Sequence, residues 1–243
     1  MITSKDNKTI KLIEKIKHKK YSRELSLCFV ESVKIVNQLY NQGLIDTVLL
    51  SEEKKNLLQS FNNCKTEIIS NTIAKYLSDS VTCDGVMAIA KIKPKNINSY
   101  SKCLILDNIQ DPSNLGAIIR SARAFGYDTI LAVNSVYPYT FKCIRSSMGY
   151  IFDINYLDIS FDELVRLKSK QDITIISADM NGVSIDNFNK PNGNYAIVIG
   201  NEGNGVSDEM LNLSDNVVSI PMMNNVESLN ASVSASILMF NLK

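Results

Sequence analysis

Short apolar runs alternate with amphipathic stretches along almost the whole chain, and their spacing predicts two successive α/β units. The first begins with a strand at 25–30 and a helix at 31–42 that sets Val33, Val36, Leu39 and Tyr40 on one face and stops at Gly43. A strand at 47–50, a charged helix at 52–60, a short strand near 67–69, a helix at 71–77 and a strand at 86–92 complete a small α/β sandwich over 1–92. The stretch 93–101 is polar, contains Pro94 and lacks periodicity, so it is the expected linker.

From 102 to 243 the alternation restarts. It predicts strands at 103–108, 129–133, near 151–157, and at 173–178, 195–200 and 217–220. Helices are expected at 115–125, closed by Gly126, around 140–148, at 161–169, around 207–213, and from 229 to the end. Runs such as Ile173-Thr174-Ile175-Ile176 and Ala196-Ile197-Val198-Ile199 are apolar throughout rather than alternating. Strands of that kind are buried on both faces of a mostly parallel sheet.

Charge changes this picture. The formal net charge of +1 divides unevenly: 1–101 hold 16 Lys and Arg against 10 Asp and Glu, whereas 102–243 hold 10 against 15. A basic half beside a mildly acidic one predicts that the first attracts a polyanion. The excess is densest in 1–24, where Lys11, Lys15, Lys17, Lys19, Lys20 and Arg23 surround His18. Nucleic acid is the natural partner, with a solvated lysine-rich helix as the plain alternative.

Cysteine and hydropathy set the compartment. Cys28, Cys64, Cys83, Cys103 and Cys143 are odd in number, never spaced as a metal or redox pair, and mostly sit in apolar runs. They are expected to be small core residues in a reducing, cytoplasmic interior. No run approaches the ~18 residues of a membrane span and no amino-terminal segment has signal character, so neither membrane insertion nor secretion is expected.

The candidate chemistry lies in three clusters at strand ends of the second half. In the first, the strand at 103–108 runs into Asp111-Pro112-Ser113-Asn114, where Ser113 or Asn114 would cap a helix that carries Arg120 and, nearly on the same face, Arg123. A capped helix with surface arginines explains this cluster taken alone. In the second, Gly200-Asn201-Glu202-Gly203-Asn204-Gly205 places three glycines in six positions after an apolar strand. The spacing fits neither the dinucleotide fingerprint nor the phosphate loop, and the turn would present the Glu202 carboxylate at the sheet's carboxyl edge. In the third, Ile220-Pro221-Met222-Met223-Asn224-Asn225-Val226-Glu227-Ser228-Leu229-Asn230 leads into a small-residue helix and is richer in hydrogen-bonding groups than capping requires. Strand ends of an open α/β sheet are where such a fold builds a ligand site.

In this order the clusters resemble the SpoU (TrmH-like) family of RNA 2′-O-ribose methyltransferases, of the SPOUT class. The family has an Asn followed by Arg six residues on, a Gly-x-Glu-Gly loop, and an Ile-Pro-Met strand leading to Ser-Leu-Asn. The resemblance extends to residues 18–92, whose Phe29-Val30-Glu31 and Asp84-Gly85-Val86-Met87-Ala88 look like the RNA-binding domain of the ribosomal-RNA branch. Two positions depart from it: Asn224 and Ser32 each stand where the family usually has Gly. Asn fits there if its backbone is left-handed.

The resemblance implies a carboxyl-terminal segment threaded as a deep trefoil knot that binds S-adenosylmethionine, and a homodimer paired through that domain. General folding rules make such knots rare. It implies that Gly200, Ile220 and Leu229 contact the cofactor largely through backbone groups, and that Asn114, Arg120, Glu202, Ser228 and Asn230 form the catalytic cluster without a metal. Arg120 would act as a fork on the phosphate and 2′-oxygen of the target nucleotide, with Glu202 holding its guanidinium. The implied substrate is structured RNA, a guanosine of 23S ribosomal RNA before transfer RNA, with no DNA and no membrane partner. Two rivals remain at this point: a non-catalytic RNA-binding or ribosome-assembly protein on the same fold, and an α/β oxidoreductase or phosphate-ester enzyme built on the glycine loop.

Overall fold

The computed structural model describes residues 1–80, 82–94, 100–224 and 226–243, so 95–99 of the expected linker lie outside the described residues. The chain forms two compact units: Met1–Pro94 together with Tyr139–Phe152, and the remaining described residues up to Pro138 and from Asp153 onward. No helix among the described residues is long and apolar enough to cross a membrane.

The first unit is built on β1 (Leu27–Glu31), β2 (Ile45–Ser51), β3 (Lys65–Ile69) and β4 (Val86–Lys91). Their order is β1-β4-β2-β3, with β4 antiparallel to both neighbours and β2 parallel to β3. Around them lie α1 (Lys8–Ile16), α2 (Lys19–Leu25), α3 (Val33–Asn41) and α4 (Asn71–Leu77). The lysine-rich start of the chain thus holds two helices, and the first is anchored. Ile10, Ile13 and Ile16 recur at helical spacing and bury one face of α1 against Phe29, Leu49, Ile69 and Met87, while Asn7 caps it by accepting from the Thr9 N–H. The expected helix at 52–60 is instead a 3₁₀ helix, Glu52–Phe61, with only Phe61 buried. Without an apolar stripe to dock, the tighter turn has nothing to oppose it.

Ser32 sits at φ 109°, ψ 128°, a region that side-chain-bearing residues rarely adopt. The turn is held from both sides: the Ser32 N–H donates to the Val86 carbonyl, and the Val33 N–H to Asp84 Oδ2 at 2.9 Å. This is the conformation that glycine adopts without penalty.

The second unit carries β5 (Lys102–Asp107), β6 (Thr129–Val133), β7 (Asn155–Asp158), β8 (Ile173–Ser184), β9 (Asn194–Ile199) and β10 (Asn216–Ser219). All pair in parallel, in the order β10-β8-β9-β5-β6-β7. The helices of this half of the chain are α5 (Pro112–Phe125), α6 (Phe141–Ser146), α7 (Phe161–Gln171), α8 (Asp208–Leu213) and α9 (Ala231–Asn241). The central strands β5, β6 and β9 are buried almost throughout, as their unbroken apolar runs predict.

Three features differ from expectation. The stretch around 140–148, placed by its sequence position in the second unit, clusters with the first: Phe141 stacks on Phe29 with ring centroids 6.5 Å apart, and Cys143 and Ile144 are buried. An apolar helix face goes where it finds cover, whatever its neighbours in sequence. Within 151–157, a 3₁₀ turn at Tyr150–Phe152 precedes the short strand β7. The strand expected to stop at 178 runs on to Ser184, because β10 pairs along its far half with a register shift between Val217 and Val218. Gly182 permits this, since a Cβ there would stand 2.6 Å from the backbone of Val217 and Val218.

Candidate functional site

β5 leads to one side of the sheet through β6 and β7, while β9 returns on its other side, so the chain reverses direction between β5 and β9. A crevice at such a switch point, outside the carboxyl ends of the strands, is the usual ligand position in an open α/β sheet. The first two clusters meet there.

After β5 the backbone turns at Asn108 (φ 59°) and enters α5. The cap is Asp111, whose side chain accepts from the N–H groups of Ser113 and Asn114, so the expectation of Ser113 or Asn114 as cap is corrected. Pro112 explains the shift: proline suits the first helical position, which makes the residue before it the cap. After β9 the glycine loop closes on itself, with the Asn201 N–H donating to the Gly205 carbonyl at 2.8 Å and the Gly205 N–H to the Asn201 carbonyl at 2.9 Å. A Cβ on Gly200 would stand 2.2 Å from the Gly205 carbonyl carbon. Only glycine fits. Asn201 braces the loop further by accepting from the Gly203 and Asn204 N–H groups and by donating to the Asn108 carbonyl.

The loop delivers Glu202 to the start of α5. Its carboxylate accepts from the Gln110 N–H (3.3 Å), the Asp111 N–H (3.1 Å) and the Asn114 amide (3.0 Å). Partial burial pushes this carboxyl up, but the Asn114 amide and the backbone N–H groups outweigh it and hold Glu202 below the ordinary glutamate range. The third cluster joins through Asn230. That residue caps α9 by accepting from the Ser232 N–H, and its own amide donates to Asn114 Oδ1 at 2.9 Å. Glu202, Asn114 and Asn230 therefore form one hydrogen-bonded chain across all three clusters. Asn224 has φ 59°, the left-handed conformation in which Asn can stand for Gly, whereas Asn225 lies outside the described residues.

Beside this chain lies a cavity of about 340 Å³. Gly200, Ile220 and Leu229 all line it, as do Glu202 and Ser228. Arg120 stands apart. It is exposed on α5, and no hydrogen bond or ion pair joins it to Glu202 among the described residues, so the expected clamp of guanidinium by Glu202 is corrected: the carboxylate is committed to amides. Arg123 is committed too, to Asp128 at 2.9 Å.

Sequence reasoning passed over Asp111, Gln110, Asn201 and the cavity residue Asp179. The Asp-Pro pair was a usable signal for the first, and the polar run that continues β8 toward Gly182 for the last.

Several known proteins are similar to this chain. The curated 23S rRNA (guanosine(2553)-2′-O)-methyltransferase RlmP of Bacillus subtilis is 26% identical over 245 residues, covering 100% of this chain and 98% of its own. An AdoMet-bound rRNA methyltransferase from Sinorhizobium meliloti superposes with a TM-score of 0.88 at 21% identity, over 99% of this chain and 96% of its own. The SpoU methyltransferase AviRb from Streptomyces viridochromogenes, in complex with AdoMet, gives 0.84 at 21% identity over 97% of each. Both structures share the fold. The profile of the SpoU rRNA Methylase family matches residues 101–240, a span that contains all three clusters and the chain of bonds joining them, and on that match the protein belongs to the SpoU rRNA methylase family.

Proposed function

We propose that this protein transfers the methyl group of S-adenosylmethionine to the 2′-hydroxyl of a ribose in structured RNA, a guanosine of 23S ribosomal RNA. The observation that carries the reading is the Glu202–Asn114–Asn230 chain, which holds three distant segments at one cavity. The family supports the reaction class, and the activity for which the Bacillus relative is named supports the choice of RNA and base.

The residues present fit the cofactor. Ile199, Val218, Ile220 and Leu229 offer apolar walls for an adenine ring, strand ends supply backbone donors and acceptors, and the volume falls within the range of small-molecule sites. When bound, S-adenosylmethionine supplies a methyl group already activated by its sulfonium. The chain's own task is then to bind and orient the ribose, and proximity of this kind is worth about 7–11 kcal/mol.

Arg120 is suited to the phosphate and 2′-oxygen because its guanidinium has no carboxylate partner among the described residues and presents a planar fork of donors. With a pKa above about 12 it acts as a charge stabiliser and not as a base. The Asn230–Asn114 hydrogen bond joins the starts of α5 and α9, and Ser228 lines the cavity.

The same reading includes a trefoil knot in the second unit and a homodimer paired through it. Val233 and Phe240 on α9 stand about half exposed, an apolar face a second copy could cover. The basic first unit docks the RNA through phosphates, with 1–92 as the RNA-binding part, 93–101 as linker and 102–243, apart from the Tyr139–Phe152 segment that clusters with the first unit, as the methyltransferase part, in the cytoplasm where ribosomal RNA is found. Arg120→Ala tests the reading: cofactor affinity should stay within about twofold while methyl transfer falls by about 10²–10³. A variant that methylates at the wild-type rate overturns the assignment.

A further inference from the structure

The charged residues that line the cavity are all acidic. Asp179 follows the buried half of β8, Glu202 lies in the glycine loop and Glu227 precedes α9, and no Lys, Arg or His is among the lining residues. Glu202 is committed to the amides of the α5 start, which leaves Asp179 and Glu227 as the other acidic residues that line the space. Asp179 is held in place, its Oδ1 accepting from the Asn181 N–H at 2.9 Å.

This inference rests on the S-adenosylmethionine reading. That cofactor carries a sulfonium, an ammonium and a carboxylate, a net charge of +1; once the methyl has left, S-adenosylhomocysteine keeps the ammonium and carboxylate but has a neutral thioether. The two differ by one methyl group and one positive charge. Contact with the extra methyl acts at short range and does not respond to salt, whereas a pocket whose charged lining residues are all acidic adds an electrostatic preference that salt screens.

We propose that Asp179 and Glu227 make this cavity selective for the cationic donor over its neutral product, so that S-adenosylhomocysteine leaves in favour of S-adenosylmethionine after each transfer. The selectivity acts on binding, and because Glu227 is exposed and Asp179 half-buried, each contributes a small factor. Together they give about a fivefold to twentyfold preference at low ionic strength.

The test is calorimetric titration of the full-length protein with S-adenosylmethionine, S-adenosylhomocysteine and sinefungin, which replaces the sulfonium by a protonated amine. The two cationic ligands should bind more tightly than S-adenosylhomocysteine, and added salt should narrow the gap. Asp179→Asn keeps the oxygen that accepts from Asn181, and with Glu227→Gln it should narrow the preference by weakening the cationic ligands more than S-adenosylhomocysteine. Equal binding of all three by the wild type, a wild-type gap insensitive to salt, or an undiminished preference in the double variant each overturns the proposal. If S-adenosylmethionine and its product both bind but without preference, only the selectivity fails; if a folded wild type binds none of the three, the cofactor reading itself fails with it. Should the double variant not fold, the salt dependence of the wild type and the single variants decide the matter.

Discussion

In the second unit, Asn114 bonds to partners 88 and 116 residues away, and each polar group in that chain is satisfied by another. In the first unit the lysines of the amino-terminal run divide. Lys5 lies over the Tyr76 ring at 3.5 Å, Lys11 pairs with Asp6 at 2.8 Å, and Lys17 donates to the Leu77 carbonyl at 2.7 Å and reaches Asp79. Lys15 and Lys20 flank Tyr21, and together with Lys19 they have no carboxylate partner among the described residues. A basic run therefore overstates the charge a polyanion meets, because the fold itself uses part of it. A set of short motifs does the reverse: each is weak alone, and folding joins them.

The largest expected effect breaks the structural half of the comparison. Ile13 is fully buried in the core that α1 shares with β1, β2 and β4. Ile13→Ala should destabilise the protein by about 2–5 kcal/mol, the cost of lost transfer energy plus a cavity, measured by urea unfolding. A change below 1 kcal/mol, taken as roughly the scale of a surface substitution, would mean that the basic segment is not anchored and is free to act as a mobile arm.

Next comes the joint between motifs. Asn114→Ala removes a donor to Glu202 and the acceptor for Asn230 while leaving the backbone bonds to Glu202 in place. A displacement of about 1 Å in a positioned reactant can cost 10²-fold in rate, and single-turnover methyl transfer should fall by about that factor with cofactor affinity nearly intact. Equal turnover by the variant would show that the chain is only structural.

How much of this was legible differs between the two regions for the same physical reasons. The core strands of the second sheet were readable because burial on both faces leaves an unbroken apolar signature in Ile105, Leu131 and Val198. The three clusters were readable as an ordered set, and Gly200, Ile220, Leu229, Glu202 and Ser228 do reach one cavity. The partner of Glu202 was not readable, since opposite charge pointed to Arg120, whereas the loop placed the carboxylate beside the helix-start amides of Gln110, Asp111 and Asn114. Nor was the docking of α6, because Phe141, Cys143 and Ile144 predict an apolar face without saying which core covers it. In the first unit the isoleucine stripe of α1, Ile10, Ile13 and Ile16, is interleaved with lysines, so its apolar period is short and the run reads as basic before it reads as a core helix.

The comparison sharpens if the free lysines are tested against the committed ones. Lys19→Gln with Lys20→Gln should leave stability within about 0.5 kcal/mol, as for other exposed positions, yet weaken RNA binding. If both contact phosphates of a folded RNA, the slope of log affinity against log salt should become shallower by about 1.4–1.8. An unchanged slope would move the docking face elsewhere on the first unit.

The smallest effect is a titration, and it separates the two regions by whether their contribution to stability responds to acid at all. Glu202 has an ordinary, unfolded value of 4.5 and a lowered one in the fold, because hydrogen bonds favour its charged form against the opposing effect of burial. Its contribution to stability is therefore fully present above pH 4.5 and is lost as pH falls through the lowered value. Solvent around the exposed loop keeps it modest. Glu202→Gln removes the titrating group, so the stability difference between wild type and variant should be flat above about pH 5.5 and shrink toward about pH 3. The Lys19/Lys20 double variant should run parallel to wild type over that range, since lysines do not titrate there. If the Glu202→Gln difference were instead constant down to about pH 3, the amides would not be holding a carboxylate, and the network at the β5–β9 crevice would have to be described by shape alone.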